Sequence, residues 1–230
     1  MDDTVEGILF CTPCFGGQSY TVFNLALQNV VMDMRRAGLA CDVYQMRNES
    51  LVQRARNNMA ARWYFDTPYS HLMFIDADIE FSVDDVSKLW NTAAGGNDLV
   101  VGVYRMKKPE AAYAAWVDGE LVEDLEQFKE EPVIKVDYAG TGFWLMSRKC
   151  YADMIEAYPE LGHDAGLGEF PSYAFFDTGI RGLADKDTTW KDRFYVSEDY
   201  DFCDKYRKIG GEVLMHTDVK LTHWGLIGYK

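Results

Sequence analysis

The sequence predicts an α/β domain with a mainly parallel central sheet flanked by helices. Up to residue 104, short apolar runs alternate with stretches whose apolar residues recur at helical spacing. This alternation is typical of parallel strands joined by helical crossovers. A length of 230 residues fits one domain, and a hydrophobic content of 48% is enough to bury a sizeable core. We therefore treat residues 1–230 as a single domain.

The predicted elements follow one another regularly through the first half of the chain. Residues 7–13 are an apolar run stopped by Pro13, which is typical of a buried first strand. Apolar side chains near helical spacing then predict a helix over 20–36, which ends before Gly38. The same reasoning predicts a strand over 40–45, a helix over 50–63, a strand over 71–76, a helix over 84–94 and a strand over 98–104.

The second half of the chain is less regular. It predicts strands over 133–136, 142–146 and 212–215, and helices over 147–158 and 197–209. Residues 162–193 are rich in Gly, Asp and aromatic residues and show no period, which is typical of a functional lid or binding loop. The aromatic side chains between Tyr173 and Trp190 could stack on sugar faces or form the loop's own core.

Charge and cysteine content exclude several kinds of partner. The net charge of −14 argues against binding to nucleic acids or anionic membranes. Five cysteines, an odd number without framework spacing, predict reduced thiols in an intracellular protein. The N-terminus is acidic, unlike a signal peptide, and no apolar run approaches the roughly 18 residues of a membrane-spanning helix. We therefore expect a cytoplasmic protein with no nucleic-acid partner and no membrane span.

Asp76, Ala77 and Asp78 form the motif that points most clearly to chemistry. The two carboxylates come just past an apolar strand, at the edge where open α/β sheets bind ligands. Carboxylate oxygens suit Mg²⁺ or Mn²⁺, which bridges phosphate oxygens and neutralises the charge of a leaving group. An acidic turn without function is the alternative, and the apolar strand before the motif favours the metal site.

Two further features carry candidate functional groups. Glu198 and Asp199 begin a predicted helix, where acidic residues complement the helix dipole and can serve as caps alone. The functional alternative is that one of them, Asp199 in preference to Glu198, is a general base kept ionised by the helix start. His223 is either structural or a neutral imidazole that completes a carboxylate-rich metal site.

Several short motifs occur in one order between about residues 7 and 225. They are Cys11-Thr12-Pro13, Arg54-Ala55-Arg56-Asn57-Asn58, Asp76-Ala77-Asp78, Gly102-Val103-Tyr104 followed by Lys107-Lys108, Gly140-Thr141-Gly142-Phe143, Glu198-Asp199 and His223. This order resembles the GT-A-fold glycosyltransferases, which have a Rossmann-like sheet and use nucleotide sugars. It is similar in particular to small single-domain enzymes of large viruses that glycosylate capsid proteins.

The resemblance implies a reaction and a set of roles. A sugar would move, with inversion, from a nucleotide-diphosphate sugar (a UDP-sugar rather than a GDP-sugar) to a hydroxyl of a saccharide or glycoprotein acceptor. Residues 7–104 would form the nucleotide-binding half and 105–230 the acceptor-binding and catalytic half.

The resemblance also assigns individual residues. Those that would contact the donor are Thr12, Pro13, Arg54, Asn57, Asn58, Asp76, Ala77, Asp78, Gly140 and Gly142. Thr12 and Pro13 would flank the nucleobase or ribose, and the two glycines would let the backbone approach the sugar. Asp76, Asp78 and His223 would hold Mn²⁺ or Mg²⁺, and Asp199 or Glu198 would be the base.

Other readings explain fewer of these motifs. Cys11 and Cys14 have the spacing of a redox pair, but that reading leaves the carboxylates unexplained. An aspartyl phosphatase usually opens with its acidic motif, which here comes third among the strands. A sugar-nucleotide-forming nucleotidyltransferase would need a glycine- and basic-rich N-terminal loop that the chain lacks. A non-catalytic sugar-binding module on the same scaffold would not need both acidic motifs and His223.

Overall fold

The computed structural model of the protein describes residues 4–108, 112–182, 189 and 193–229. These residues form an α/β fold with a seven-stranded central sheet flanked by helices, which confirms the predicted fold class. None of the helices within these ranges is long and apolar enough to cross a membrane.

The described part of the chain contains five α-helices and seventeen strands. The helices are α1 (Thr21–Arg36), α2 (Val52–Asp66), α3 (Val83–Ala94), α4 (Arg148–Ala157) and α5 (Glu198–Lys208). The strands are β1 (Val5–Cys14), β2 (Ala40–Arg47), β3 (Tyr69–Ile75), β4 (Ile79–Glu80), β5 (Leu99–Gly102), β6 (Ala115–Val117), β7 (Glu120–Leu121), β8 (Val133–Val136), β9 (Tyr138–Ala139), β10 (Phe143–Ser147), β11 (Gly162–His163), β12 (Ser172–Tyr173), β13 (Gly179–Gly182), β14 (Arg193–Val196), β15 (Val213–His216), β16 (Thr222–Trp224) and β17 (Gly228–Tyr229).

The central sheet is mixed, with the strand order β2-β1-β3-β10-β5-β15-β8. Strands β1, β2, β3, β5 and β15 run in one direction, so most of the sheet is parallel as predicted. Strand β10 is antiparallel to both of its neighbours, and β8 is antiparallel to β15. Both reversed strands come from the second half of the chain, where the strand–helix alternation stops.

Helices cover both faces of the sheet. Alternate side chains of a strand point to opposite faces, so Ile8 and Phe10 of β1 pack with α1 and α3, whereas Leu9 and Cys11 pack with α2, α4 and α5. Because both faces are covered, β1 is buried over most of its length. Its continuous apolar run is what a strand covered on both faces requires.

A second, three-stranded sheet ties the C-terminal segment to the acidic turn after β3. Its order is β17-β16-β4, and His223 of β16 lies opposite Ile79 of β4. The sequence pattern predicted neither β4 nor β16, because both are too short to show a period. This pairing brings the end of the chain beside residues 76–78.

The region 162–193, predicted to lack regular structure, contains short paired strands in its described part. Strand β11 pairs with β12, and β13 pairs with β14, which leads directly into α5. The β13–β14 pair therefore fixes the start of α5, where Glu198 and Asp199 lie.

Candidate active site

A cavity of about 780 Å³ opens at the edge of the sheet where β1, β2 and β3 end. This volume is within the roughly 300–1,000 Å³ typical of small-molecule sites. Its walls come from the turns after these strands and from the first turns of α1 and α2. The lining residues are Pro13, Phe15, Gln18, Ser19, Tyr20, Thr21, Glu49, Ser50, Val52, Gln53, Asp76, Ala77 and Asp78.

Arg56 of α2 joins the two acidic motifs. Its Nη2 donates to Oδ1 of Asp76 at 2.9 Å, and its Nε donates to Oε1 of Glu198 at 3.4 Å. Asp76 follows β3 and Glu198 begins α5, so these carboxylates come from distant parts of the sequence. One guanidinium therefore places the two motifs side by side.

The guanidinium of Arg56 is buried and charged. Burial alone would lower its pKa, but the negative charges of Asp76 and Glu198 outweigh burial and raise the pKa above its usual range. The guanidinium carbon lies 5.5 Å from the centre of the Phe74 ring, within reach of a cation–π interaction. Nη1 has no hydrogen-bond partner among the described residues. It is therefore a buried donor beside the carboxylates.

Asp78 lies between a lysine and a histidine. Nζ of Lys107 is 2.5 Å from Oδ2 of Asp78, and Nε2 of His223 is 3.6 Å from Oδ1. Burial would raise the pKa of Asp78, but hydrogen bonds and charge from His223 and Lys107 outweigh burial and lower it. The Asp78 side chain is therefore an ionised carboxylate at neutral pH.

The orientation of His223 is fixed by the backbone. The backbone N–H of Trp224 donates to the carbonyl oxygen of Asp78 at 2.8 Å, which holds β16 against the acidic turn. Nδ1 of His223 lies 3.0 Å from the carbonyl oxygen of Arg105. Because a carbonyl oxygen only accepts, Nδ1 carries a proton, and Nε2 is the ring nitrogen that faces Asp78. Nε2 donates toward the carboxylate when the ring is charged, and it presents a lone pair for a cation when it has lost its proton.

These residues fit a divalent cation only as part of a larger ligand set. Within the described ranges, no three His, Cys, Asp or Glu side chains are gathered into a metal site. Asp76 is hydrogen-bonded to Arg56, and Asp78 faces His223. A carboxylate oxygen and an imidazole nitrogen are suitable ligands for Mn²⁺, and phosphate or water oxygens would have to supply the rest.

Asp199 occupies a half-buried position at the start of α5. Its Oδ1 accepts hydrogen bonds from the Ser197 hydroxyl and from the backbone N–H of Tyr200, the latter at 2.8 Å. Burial, together with the charge of Glu198, raises the pKa of Asp199 to about 6. Burial thus outweighs the helix start, which was expected to favour the ionised form. A carboxylate that titrates near neutral pH is well matched to general-base chemistry.

Gly140 and Gly142 pack against Tyr104. A Cβ on Gly140 would lie 2.5 Å from the Tyr104 hydroxyl oxygen, and one on Gly142 would lie 2.7 Å from Cζ of the same ring. The backbone N–H of Gly142 also donates to that hydroxyl at 3.1 Å. Tyr104 in turn meets the His223 ring edge-on, with 4.9 Å between ring centres. Both glycines therefore have a packing role, whether or not a sugar approaches them.

Asn57 and Asn58 fasten the 172–176 segment to α2. The Asn57 side chain bonds both backbone groups of Phe176, at 2.8 and 2.9 Å. Oδ1 of Asn58 accepts from the Ser172 hydroxyl at 3.0 Å. Both asparagines are buried, and neither lines the cavity.

The remaining predicted donor contacts divide into two groups. Pro13 lines the cavity, together with Asp76–Asp78, whereas Thr12 is fully buried in β1. Arg54 is exposed and makes two hydrogen bonds to the Glu49 carboxylate, at 2.7 and 2.8 Å. Glu49 lines the cavity, so Arg54 is one residue removed from it.

The aromatic residues described between 173 and 176 pack into the main core of the domain rather than into a core of the loop itself. Phe175 and Phe176 are buried, and Phe176 stacks on Phe202 with 4.6 Å between ring centres. Tyr173 stacks on Phe175. Trp190, which the sequence also offered as a sugar platform, lies outside the described residues.

The cysteines do not support the redox alternative. All five have free thiols and are buried. Burial raises the pKa of Cys11 and of Cys14, whereas reactive cysteines have a lowered pKa.

Sequence analysis assigned no role to Arg56, Tyr104 or Lys107. A signal for Arg56 was present, because Arg56, Ala60 and Trp63 share one inward row of α2, and a charged residue on such a row needs a partner. Tyr104 and Lys107 follow β5, which ends at the same sheet edge as β3.

Comparisons with known proteins identify the fold. No protein-family model matches the chain, and no curated protein sequence matches it. Among solved structures, the chain is similar to A197 from STIV, at 16% identity and a TM-score of 0.56, over 95% of this chain and 86% of that one. It is also similar to a Drosophila β1,4-galactosyltransferase 7 mutant in complex with manganese, UDP-Gal and xylobiose, at 11% identity and a TM-score of 0.50, over 96% and 71% of the two chains.

These similarities extend over nearly the whole chain and show that the fold is of the GT-A type. The expectation drawn from the ordered motifs is thereby confirmed for the fold. At such low sequence identity the likeness concerns fold alone, so the activity has to be argued from the site.

Proposed function

We propose that the protein is a metal-dependent glycosyltransferase that moves a sugar from a UDP-sugar to a hydroxyl of a saccharide or glycoprotein acceptor, with inversion. The observation that carries this proposal is the contact of one buried guanidinium, that of Arg56, with both Asp76 and Glu198. In support of the proposal, this contact brings the Glu198-Asp199 motif next to Asp76, which lines the cavity. Residues 7–104 act as the donor half of the domain and 105–230 as the acceptor half.

The donor side of the proposal rests on the cavity. Its size suits a nucleotide, and Phe15 and Tyr20 expose aromatic rings on its wall. Part of the cavity wall is formed by Asp76, Ala77 and Asp78, and a diphosphate would contact the acidic turn there. The complex of the Drosophila galactosyltransferase with manganese and UDP-Gal supports this donor class for the same fold.

Asp78 and His223 are the residues we propose to hold the cation. When bound, Mn²⁺ or Mg²⁺ neutralises the charge that develops on the departing diphosphate. Asp78 supplies an ionised carboxylate, and the Nδ1–H···O contact with Arg105 leaves Nε2 of His223 on the side of Asp78, where it could bind a cation once it has lost its proton. Asp76 stays bonded to Arg56 and supports the turn beside them.

The acceptor side rests on Asp199. In a single displacement, the acceptor oxygen forms a bond to the anomeric carbon while the bond from that carbon to the diphosphate oxygen breaks. The diphosphate leaves with the electron pair, and the acceptor's proton passes to Asp199. Ser197 and the backbone of Tyr200 hold the orientation of this carboxylate. Glu198 faces Arg56, which makes Asp199 the better placed of the two for the acceptor.

A donor screen tests the proposal. The purified protein is incubated with Mn²⁺ and either UDP-sugars or GDP-sugars, and release of the free nucleoside diphosphate is measured in parallel with Asp78→Asn. We expect release from at least one UDP-sugar, with a loss of at least tenfold in Asp78→Asn. Binding of nucleotide without any turnover would instead support the sugar-binding module, and pyrophosphate release from UTP with a sugar phosphate would support the nucleotidyltransferase.

A further inference from the structure

The two acids of the 76–78 turn each hold a basic side chain, but in different ways. The Arg56 side chain is 4% exposed and contacts Glu198 as well as Asp76. The Lys107 side chain is 35% exposed, and its one ion pair with a described residue is with Asp78. Arg56 is therefore fixed between two carboxylates, whereas Lys107 is held by one.

Lys107 contacts a carboxylate oxygen of Asp78 that a bound cation would also need. Its Nζ is 2.5 Å from Oδ2 of Asp78, while Oδ1 faces His223. A positive charge this close to a carboxylate oxygen competes with a divalent cation for the oxygen and repels the cation. With Lys107 in this position, Asp78 is neutralised without any metal.

We propose that Lys107 is an exchangeable counter-ion for Asp78. When the donor binds, the ammonium of Lys107 leaves this carboxylate and pairs with the diphosphate, and the divalent cation takes the place of Lys107 beside Asp78. This inference rests on the proposed function, because it requires a diphosphate at the acidic turn.

The exchange is favoured because the ion pair that breaks is weak and the new pairing with the diphosphate is stronger. A partly exposed ion pair contributes little net stability, so breaking the contact of Lys107 with Asp78 costs little. A diphosphate carries more negative charge than one carboxylate, and the flexible lysine stem lets the ammonium follow it. The consequence is coupling: nucleotide raises the affinity for the cation, and by linkage the cation raises the affinity for nucleotide by the same factor.

Mn²⁺ binding tests the exchange directly. The free Mn²⁺ signal in electron paramagnetic resonance is titrated for the wild type, Lys107→Ala and Lys108→Ala, each without nucleotide and with saturating UDP. Lys108 is the matched control, because it is the exposed neighbour of Lys107 and forms no ion pair with a described residue. Without UDP, we expect Lys107→Ala to bind Mn²⁺ roughly 3- to 10-fold more tightly than the wild type. With UDP we expect a difference below about twofold, because Lys107 has by then left Asp78.

The possible outcomes separate this inference from the proposed function. Equal Mn²⁺ affinity of the wild type and Lys107→Ala without UDP would overturn the exchange, as would an equal gain in Lys108→Ala. A gain in Lys107→Ala that persists with UDP would make Lys107 a fixed repulsive charge and would also overturn it. Lys107→Arg, which keeps the charge, is expected to retain the wild-type coupling. If the wild type binds UDP in no condition, the proposed donor site itself is wrong.

Discussion

Nδ1 of His223 lies 3.0 Å from the carbonyl oxygen of Arg105, and this contact determines which ring nitrogen faces Asp78. A ligand histidine usually has its second ring N–H bonded to a backbone carbonyl or a carboxylate, which fixes the tautomer. His223 has this arrangement. A purely structural histidine would also need an acceptor for this N–H, so cation affinity is the property that separates the two roles.

His223→Ala is therefore expected to weaken Mn²⁺ binding in the presence of UDP by roughly 10- to 100-fold. The measurement is a calorimetric Mn²⁺ titration of the UDP-saturated protein. His163→Ala is the control, because His163 is exposed on β11 and its Nδ1 contacts only a neighbouring carbonyl oxygen among the described residues. Unchanged affinity in His223→Ala would show that the imidazole is structural.

Arg56→Met is expected to destabilise the fold strongly. It leaves the carboxylates of Asp76 and Glu198 side by side without their shared cation, and breaking a buried ion pair costs about 3–5 kcal/mol. Arg54→Met in the same helix removes only an exposed pair with Glu49 and is expected to change stability little. Urea unfolding of the two variants makes the comparison, and equal midpoints would contradict the bridging role of Arg56.

Gly140→Ala is expected to cost about 1–3 kcal/mol, because the added Cβ would lie 2.5 Å from the Tyr104 hydroxyl oxygen. Tyr104→Phe removes that oxygen, so the double variant should recover part of the loss. Gly142→Ala meets ring carbon Cζ at 2.7 Å as well as the hydroxyl, so Tyr104→Phe should rescue it less. Thermal unfolding of the single and double variants measures the coupling. No rescue of Gly140→Ala would place its clash elsewhere, and equal rescue of both glycine variants would show that the ring carbon does not contribute.

The fold was predictable because its signals are local. The apolar runs of β1 and β3 and the spacing of α1 and α2 lie within short windows, and the acidic turn comes straight after β3. The links between motifs were not predictable, because the contact of Arg56 with Glu198 joins residues far apart in the chain. Strands β4 and β16 have two and three residues, too few to show alternation, so the route that brings His223 to Asp78 left no pattern.

Asp199→Asn is expected to lower the transfer rate by ~10²–10⁴-fold while UDP and Mn²⁺ binding stay near wild type. An asparagine keeps an acceptor oxygen for Ser197 and for the Tyr200 backbone, so the start of α5 should remain intact. Rates come from single-turnover transfer, and NMR of the product gives its anomeric configuration. A near wild-type rate, or a retained configuration, would remove Asp199 from the role of base.

The pH dependence of transfer provides an independent test of the same carboxylate. Burial and the charge of Glu198 raise the pKa of Asp199 to about 6, and the base must be ionised to accept a proton. The rate should therefore fall by about tenfold for each pH unit below 6 and level off above it. Glu198→Gln removes one of the two causes of the raised pKa, so the acid limb of the profile should move to lower pH. Glu160→Gln, a change on the turn after α4 that does not contribute to the raised pKa of Asp199, should leave the limb in place. If Glu198→Gln left the limb unmoved, or if the wild-type rate did not change between pH 5 and 7, the titrating group would not be Asp199.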